Sequence, residues 1–200
     1  MTEHYFSDTP SGPEHRREVS ADLFGRTVTV TTANGVFAGD GLDRGTAVLL
    51  RTVPPPTGRP RILDLGCGWG PIALGLALAC PGARIDAVDV NDRALALCRD
   101  NARRLGVAER IRVVRPDQVG AETTYDQLWS NPPIRIGKTA LHELLLRWLP
   151  RLAPNGTAHL VVGKNLGADT LAGWLTDQGY DCSRTGTSKG FRVLEVSPRA

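Results

Sequence analysis

At positions 126 to 138 the chain reads DQLWSNPPIRIGK, placing Asn131, Pro132 and Pro133 directly after the apolar pair Leu128-Trp129. Proline lacks a backbone N–H and fixes φ, so a Pro-Pro pair stops a strand and sets the direction of the chain. Asn131 is then held at the strand's end. Its amide oxygen and the backbone carbonyl of Pro132 form two convergent hydrogen-bond acceptors, a pair suited to a planar –NH2 group. Engaging both N–H bonds of such a group orients its nitrogen and stabilises positive charge as it develops there. Proton loss can follow, so no histidine base is needed, and His4, His15, His142 and His159 have no evident partners in the sequence. Taken alone, Asn-Pro-Pro reads as well as a local turn with asparagine as its cap.

A second constellation lies upstream. ILDLGCGWGP, residues 62 to 71, sets Asp64, Gly66, Cys67, Gly68 and Gly70 between a strand and a helix opened by Pro71. Glycines at such a turn let the backbone bend sharply and approach a ligand closely. A carboxylate two residues before the first glycine disfavours a dinucleotide's pyrophosphate and suits a ligand carrying positive charge. S-adenosylmethionine (SAM), with an ammonium and a sulfonium, is such a ligand, and its own carboxylate could sit near the helix N-terminus. The next strand ends in VDVN with Asp89, 25 positions after Asp64, close to the offset of an acid that binds a ribose. Val90 and Asn91 follow it. In VVRPDQVG, Asp117 could accept from an adenine amine, although turn chemistry explains an Asp after Pro as well.

Positioning these residues takes strands and helices in alternation. From Arg61 onward, short apolar runs (RILDLG, RIDAVDV, IRVVR) alternate with helical patterns. Leu95, Cys98, Ala102 and Leu105 recur at helical steps, as do Leu141, Leu144, Leu145, Trp148 and Leu149. That order predicts an α/β fold, a mostly parallel sheet with helices on both faces and ligands at the strands' carboxyl ends. YDCSRTGTSKGFRVLEVSP closes the chain as two strands with a Gly-containing turn, which predicts an antiparallel edge. Before Arg61, residues 1 to about 20 read as an irregular arm. RTVTVTTANGVFAG reads as a small β-hairpin unit with Asn34-Gly35 suited to its turn, and LDRGTAVLLRTV reads as a helix. The expected division is 1–55 for arm, hairpin and helix and 56–200 for the main domain.

Composition narrows the class. A chain of 200 residues, 41% hydrophobic and 22% charged, supports one sizeable core. No apolar run approaches the roughly 20 residues that span a bilayer, and the start lacks a signal-type apolar segment, so a cytoplasmic protein is expected. Cys67, Cys80, Cys98 and Cys182 are far apart without ligand spacing, so no metal site is expected. A net charge of +3 neither requires nor excludes nucleic acid.

Taken together, HYFS near the start, GVFAGDGLDRGTAVLL, LDLGCGWGPI, VDVNDRALALCRDNA, SNPPIRIGK and SKGFRV resemble, over residues 23 to 200, the class I SAM-dependent methyltransferases. The resemblance is specifically to the "methyltransferase small" domain of ribosomal RNA guanine-N2 methyltransferases of the RsmC type and their stand-alone relatives. It implies a Rossmann-like seven-stranded sheet with its last strand antiparallel, SAM over the Gly66–Gly70 loop, Asp89 on the ribose hydroxyls and Asn131-Pro132 holding the target amine. It also implies an RNA partner, ribosomal RNA or a ribosomal subunit, and a monomer is favoured. In relatives the residue after Asn-Pro-Pro is often an aromatic that stacks on a base; here it is Ile134. Phe37 is a candidate to cover substrate or cofactor, or a core residue. Arg135, Lys138, Lys164 and Lys189 are candidate phosphate contacts. Adenine N6, a protein glutamine amide, or binding without catalysis remain open as alternatives.

Overall fold

Alternation of side chains along each strand decides which residues meet which layer of helices. The computed structural model describes residues 13–133 and 136–199. Nine strands and five α-helices form in the order β1 (Arg16–Leu23), β2 (Arg26–Ala33), α1 (Arg44–Thr52), β3 (Arg61–Leu65), α2 (Pro71–Ala79), β4 (Arg84–Val88), α3 (Asp92–Arg104), β5 (Ile111–Val114), β6 (Tyr125–Ser130), α4 (Lys138–Trp148), β7 (Leu152–Gly163), α5 (Ala168–Asp177), β8 (Tyr180–Ser188) and β9 (Phe191–Pro198) among the described residues. Strands β1 and β2 pair alone, and the other seven form one sheet in the order β5-β4-β3-β6-β7-β9-β8. Strands β3 to β7 pair in parallel, while β9 runs antiparallel to both β7 and β8. The sheet is thus the seven-stranded, mostly parallel one expected, with its last strand reversed.

In β3, Ile62 joins the hydrophobic cluster containing α1, α2 and α3, whereas Leu63 and Leu65 join the cluster containing α4 and α5. In β6, Trp129 belongs to the first cluster and Leu128 to the second. The two-residue period therefore turns Asp64 toward α2 and Asn131, just past β6, toward α1. Strand β3 lies between β4 and β6, so the order reverses at the β3/β6 boundary, where open α/β sheets bind ligands.

The N-terminal segment differs from expectation in two places. Residues from Arg16 form a regular strand rather than an irregular arm, and the hairpin turn is Phe24-Gly25, not Asn34-Gly35. Both turn residues have positive φ, 54° and 79°. Phenylalanine is a poor choice for that conformation by local rules, but its ring packs edge-on to Trp129 at 6.0 Å, so tertiary burial outweighs the local preference. Asn34 instead ties the preceding chain down, accepting from the His15 N–H and donating to the Pro13 carbonyl. Ala21, Leu23, Val30 and Ala33 of this hairpin share one core cluster with α1 and α2. No helix among the described residues is long and apolar enough to cross a membrane. HYFS, His4 and Pro10 lie outside the described residues.

Candidate active site

The glycine loop is held from below. The Gly66 and Cys67 N–H groups both donate to the Val88 carbonyl at the end of β4, at 2.8 and 3.0 Å. Gly66, Gly68 and Gly70 adopt φ of 76°, 56° and 100°, a region that a side chain makes costly. A Cβ on Gly70 would lie 2.7 Å from the Cys98 sulfur, so that glycine permits the loop to seat against α3. Gly66 has open space where a Cβ would be, on the cavity side.

Asp64 is fully buried and is not among the cavity's lining residues. Because it faces α2, its Oδ2 accepts the Ala73 N–H at 2.9 Å, satisfying one of the free donors of that helix's first turn. Its Oδ1 is buried without a partner. Burial raises its carboxyl pKa to about 7; the Ala73 N–H opposes that shift and nearby Asp89 adds to it. The sequence places this acid correctly at a strand end, but strand alternation sends its carboxyl beneath the loop.

Asp89 stands at the cavity wall. Its Oδ2 accepts the Gly68 N–H at 2.8 Å and its Oδ1 the Asn91 N–H at 2.9 Å, so it braces the loop that it faces. Burial pushes its carboxyl pKa upward, against the N–H groups of Asn91, Gly68 and Val90 and the charge of Arg115. Val90 lines the cavity, exposed and apolar. Asn91 caps α3 by accepting the Ala94 N–H and donates to the Gly35 carbonyl, so its side chain is already employed. Pro116 is in the wall; its neighbour Asp117 is exposed and outside it.

These groups surround a cavity of about 520 Å³, within the range of small-molecule sites. The glycine loop and Asp89 form one side, Leu144, Arg147 and Trp148 of α4 another, and Asn131, Pro132 and Pro133 the lip. Phe37, 42% exposed, overhangs from the segment after β2, so it belongs to the cavity rather than to the core. Ser130 Oγ donates to the Leu65 carbonyl at 2.7 Å, fixing the end of β6 to the end of β3. Asn131 Nδ2 donates to Asp43 Oδ1 at 2.6 Å and to Thr46 Oγ1 at 3.0 Å. Ile134 and Arg135 lie outside the described residues. Cys67 is buried behind the loop, and Lys138, Lys164 and Lys189 are exposed. Among the described residues, no three His, Cys, Asp or Glu side chains gather as a metal site would require.

Asp43 is the residue that sequence reasoning passed over. An acid before an apolar helix reads as an N-cap, and Asp43 is one, accepting from the Gly45 and Thr46 N–H groups. Nothing in the sequence signals its second contact, with Asn131.

An open α/β sheet with a glycine loop, an aspartate at the end of the next strand and an Asn-Pro-Pro lip at its reversal point defines a class I methyltransferase. The methyltransferase small domain family matches residues 27–195, and the chain belongs to it: a SAM-dependent methyltransferase. The cavity fits SAM on its own terms, with Gly66 and Gly68 open toward the space, the Asp89, Asp40 and Asp43 carboxylates to meet a ligand carrying positive charge, and apolar side chains such as Phe37, Leu144 and Trp148 in the remaining wall. Among relatives, the chain is 31% identical over 199 residues to the "Uncharacterized protein YbxB" of Bacillus subtilis, covering 98% of each. It is 33% identical over 150 residues to the "Ribosomal RNA small subunit methyltransferase C" of Shewanella halifaxensis, covering 72% of this chain but 43% of that protein. Its fold matches that of the Thermus thermophilus 16S rRNA N2 G1207 methyltransferase (RsmC), solved with AdoMet and guanosine. The TM-score is 0.76 at 21% identity, over 95% of this chain and 52% of that one. The chain thus spans about half the length of the RsmC proteins it resembles.

Proposed function

We propose that this protein methylates an exocyclic amine of an RNA base, and that the target is guanine N2 in ribosomal RNA. The observation that carries the reading is the placement of Asn131 and Pro132 at the cavity lip, with both Asn131 N–H bonds committed to α1 and its Oδ1 left as acceptor. Bound SAM supplies an electrophilic methyl group, the electron pair of the broken S–C bond remaining on sulfur. On the chain's side, Asn131 Oδ1 and the Pro132 carbonyl accept the two N–H bonds of the base amine and aim its nitrogen at that methyl group. As the N–C bond forms, the same two acceptors stabilise the charge gained by nitrogen, and the surplus proton passes to water. Asp89 holds the donor's ribose hydroxyls, and the Gly66–Gly70 loop lets the backbone approach the donor closely.

Lys138 stands at the start of α4, exposed. The Lys164 N–H donates to the Gly190 carbonyl at 2.7 Å, which sets exposed Lys164 beside exposed Lys189 near Phe191 of the cavity. These cations suit the phosphates flanking a base drawn into the cleft. The names of the RsmC relatives favour ribosomal RNA and guanine N2 over adenine N6 or a protein amide.

The test is transfer from labelled SAM to RNA and ribosomal subunits from cells lacking the gene, read by nucleoside mass spectrometry. The expected product is N2-methylguanosine, with Asn131→Ala slowing single turnover by about 10²- to 10³-fold. Label in N6-methyladenosine would replace the base assignment, and an unchanged single-turnover rate would end the role of Asn131.

A further inference from the structure

A primary amide presents an acceptor at one end and two donors at the other, and only one of these suits an incoming amine. At Asn131 the donor end is occupied twice, by Asp43 Oδ1 and Thr46 Oγ1. Asp43 is fixed in turn, because the same oxygen accepts the Gly45 N–H at 2.8 Å and the Thr46 N–H at 3.1 Å. Thr46 is buried and Asp43 lines the cavity beside Asn131. Reversing the Asn131 amide would bring its oxygen against the Asp43 carboxylate, two acceptors with no proton between them.

We infer that Asp43, assisted by Thr46, is a positioning residue for methyl transfer: it locks the Asn131 amide with Oδ1 toward the substrate and, by its negative charge at the N–H end, makes that oxygen a stronger acceptor. A carboxylate beside the –NH2 group favours the resonance form with positive nitrogen and negative oxygen. Electron density on Oδ1 is therefore raised where positive charge develops on the target nitrogen. The catalytic part of this inference rests on the proposed function; the orientation of the amide rests on geometry alone.

Asp43→Ser supplies the separating test, because serine caps a helix as well as aspartate does but ends short of the position that Asp43 Oδ1 occupies. Its kcat should fall by about 10- to 100-fold, the scale set by misplacing a reacting group by ~1 Å, with SAM affinity changed less than about threefold. In an Asn131→Ala background the same substitution should add less than about a twofold loss, because Asp43 then has nothing to position. Asp43→Asn, which keeps the shape and loses the charge, should lie between. Equal losses in both backgrounds, or a loss confined to SAM affinity, would overturn the role. Amide exchange of the Asn131 side chain, read by ¹⁵N NMR on substrate-free protein, should be at least about tenfold slower in wild type than in Asp43→Ser. Equal exchange overturns the orientation whatever the substrate proves to be. Wild type that methylates no RNA but shows the slowed exchange would refute the proposed substrate and leave the positioning intact.

Discussion

Asp89→Asn tests the carboxylate that braces the glycine loop and faces the cavity. In the free protein its two oxygens each accept one backbone N–H, from Gly68 at 2.8 Å and Asn91 at 2.9 Å. An amide of the same shape keeps one acceptor and turns –NH2 toward the other N–H, so one hydrogen bond is lost and two donors face each other. A charge-assisted hydrogen bond contributes about 1.5–3 kcal/mol, and the loss of an anionic acceptor for the ribose hydroxyls falls in the same range. The expected result is a SAM dissociation constant raised by about 10- to 150-fold at pH 8. Acidification adds a second signature. Burial raises the Asp89 carboxyl pKa, so the wild-type carboxylate is protonated at a higher pH than an ordinary aspartate, and SAM affinity should weaken correspondingly early as pH falls. Asp89→Asn has no such proton to take up, and its affinity should be flatter over the same range. Calorimetric titration of SAM from pH 8 down to pH 4 measures both effects. Wild-type affinity in the variant at pH 8, or identical pH slopes for the two proteins, would refute the reasoning.

Gly70→Ala should lower the thermal midpoint by roughly 5–15 °C, because φ of 100° disfavours any side chain and the new Cβ would press on the Cys98 sulfur 2.7 Å away. Gly68→Ala, whose nearest neighbour lies at 4.0 Å, should cost only the backbone strain, and equal midpoints for the two variants would contradict the packing argument. His159 is buried against Trp129, and desolvation lowers its pKa from 6.5 to about 4, so protonation favours the unfolded chain. Stability is then full above pH 6.5 and is lost as pH falls toward 4, by about 2 kcal/mol between pH 7 and pH 5. Urea unfolding of His159→Leu at those two pH values should lack that portion of the decline.

The sheet was legible because its signals are local: short apolar runs, helical periods of three and four, and glycines where β3 turns into α2. Asn131 was legible as well, since prolines fix a strand end without reference to the rest of the chain. The direction of the Asp64 carboxyl was not, because it depends on which face of β3 each helix covers. The hairpin turn was misread for a related reason. Asn34-Gly35 satisfies the local rule, whereas Phe24-Gly25 is selected by a ring contact with Trp129, more than a hundred residues away in sequence. The Asp43–Asn131 hydrogen bond spans 88 positions and joins two residues that each have a sufficient local explanation, a cap and a turn. Local sufficiency conceals a long-range role.

The cavity's walls are drawn from widely separated parts of the chain: Phe37 to Asp43 come from before the main sheet, and Phe191 opens its final described strand. Phe191 also lies against Gly45, where a Cβ would meet its ring at 3.0 Å. The glycine loop can form as soon as β3, α2 and β4 are together, but an enclosed site requires the final hairpin to insert β9 between β7 and β8. Completing the cavity wall at Phe191 thus falls to the last part of the chain, whereas Asp89 and the glycine loop it braces belong to β3, α2 and β4.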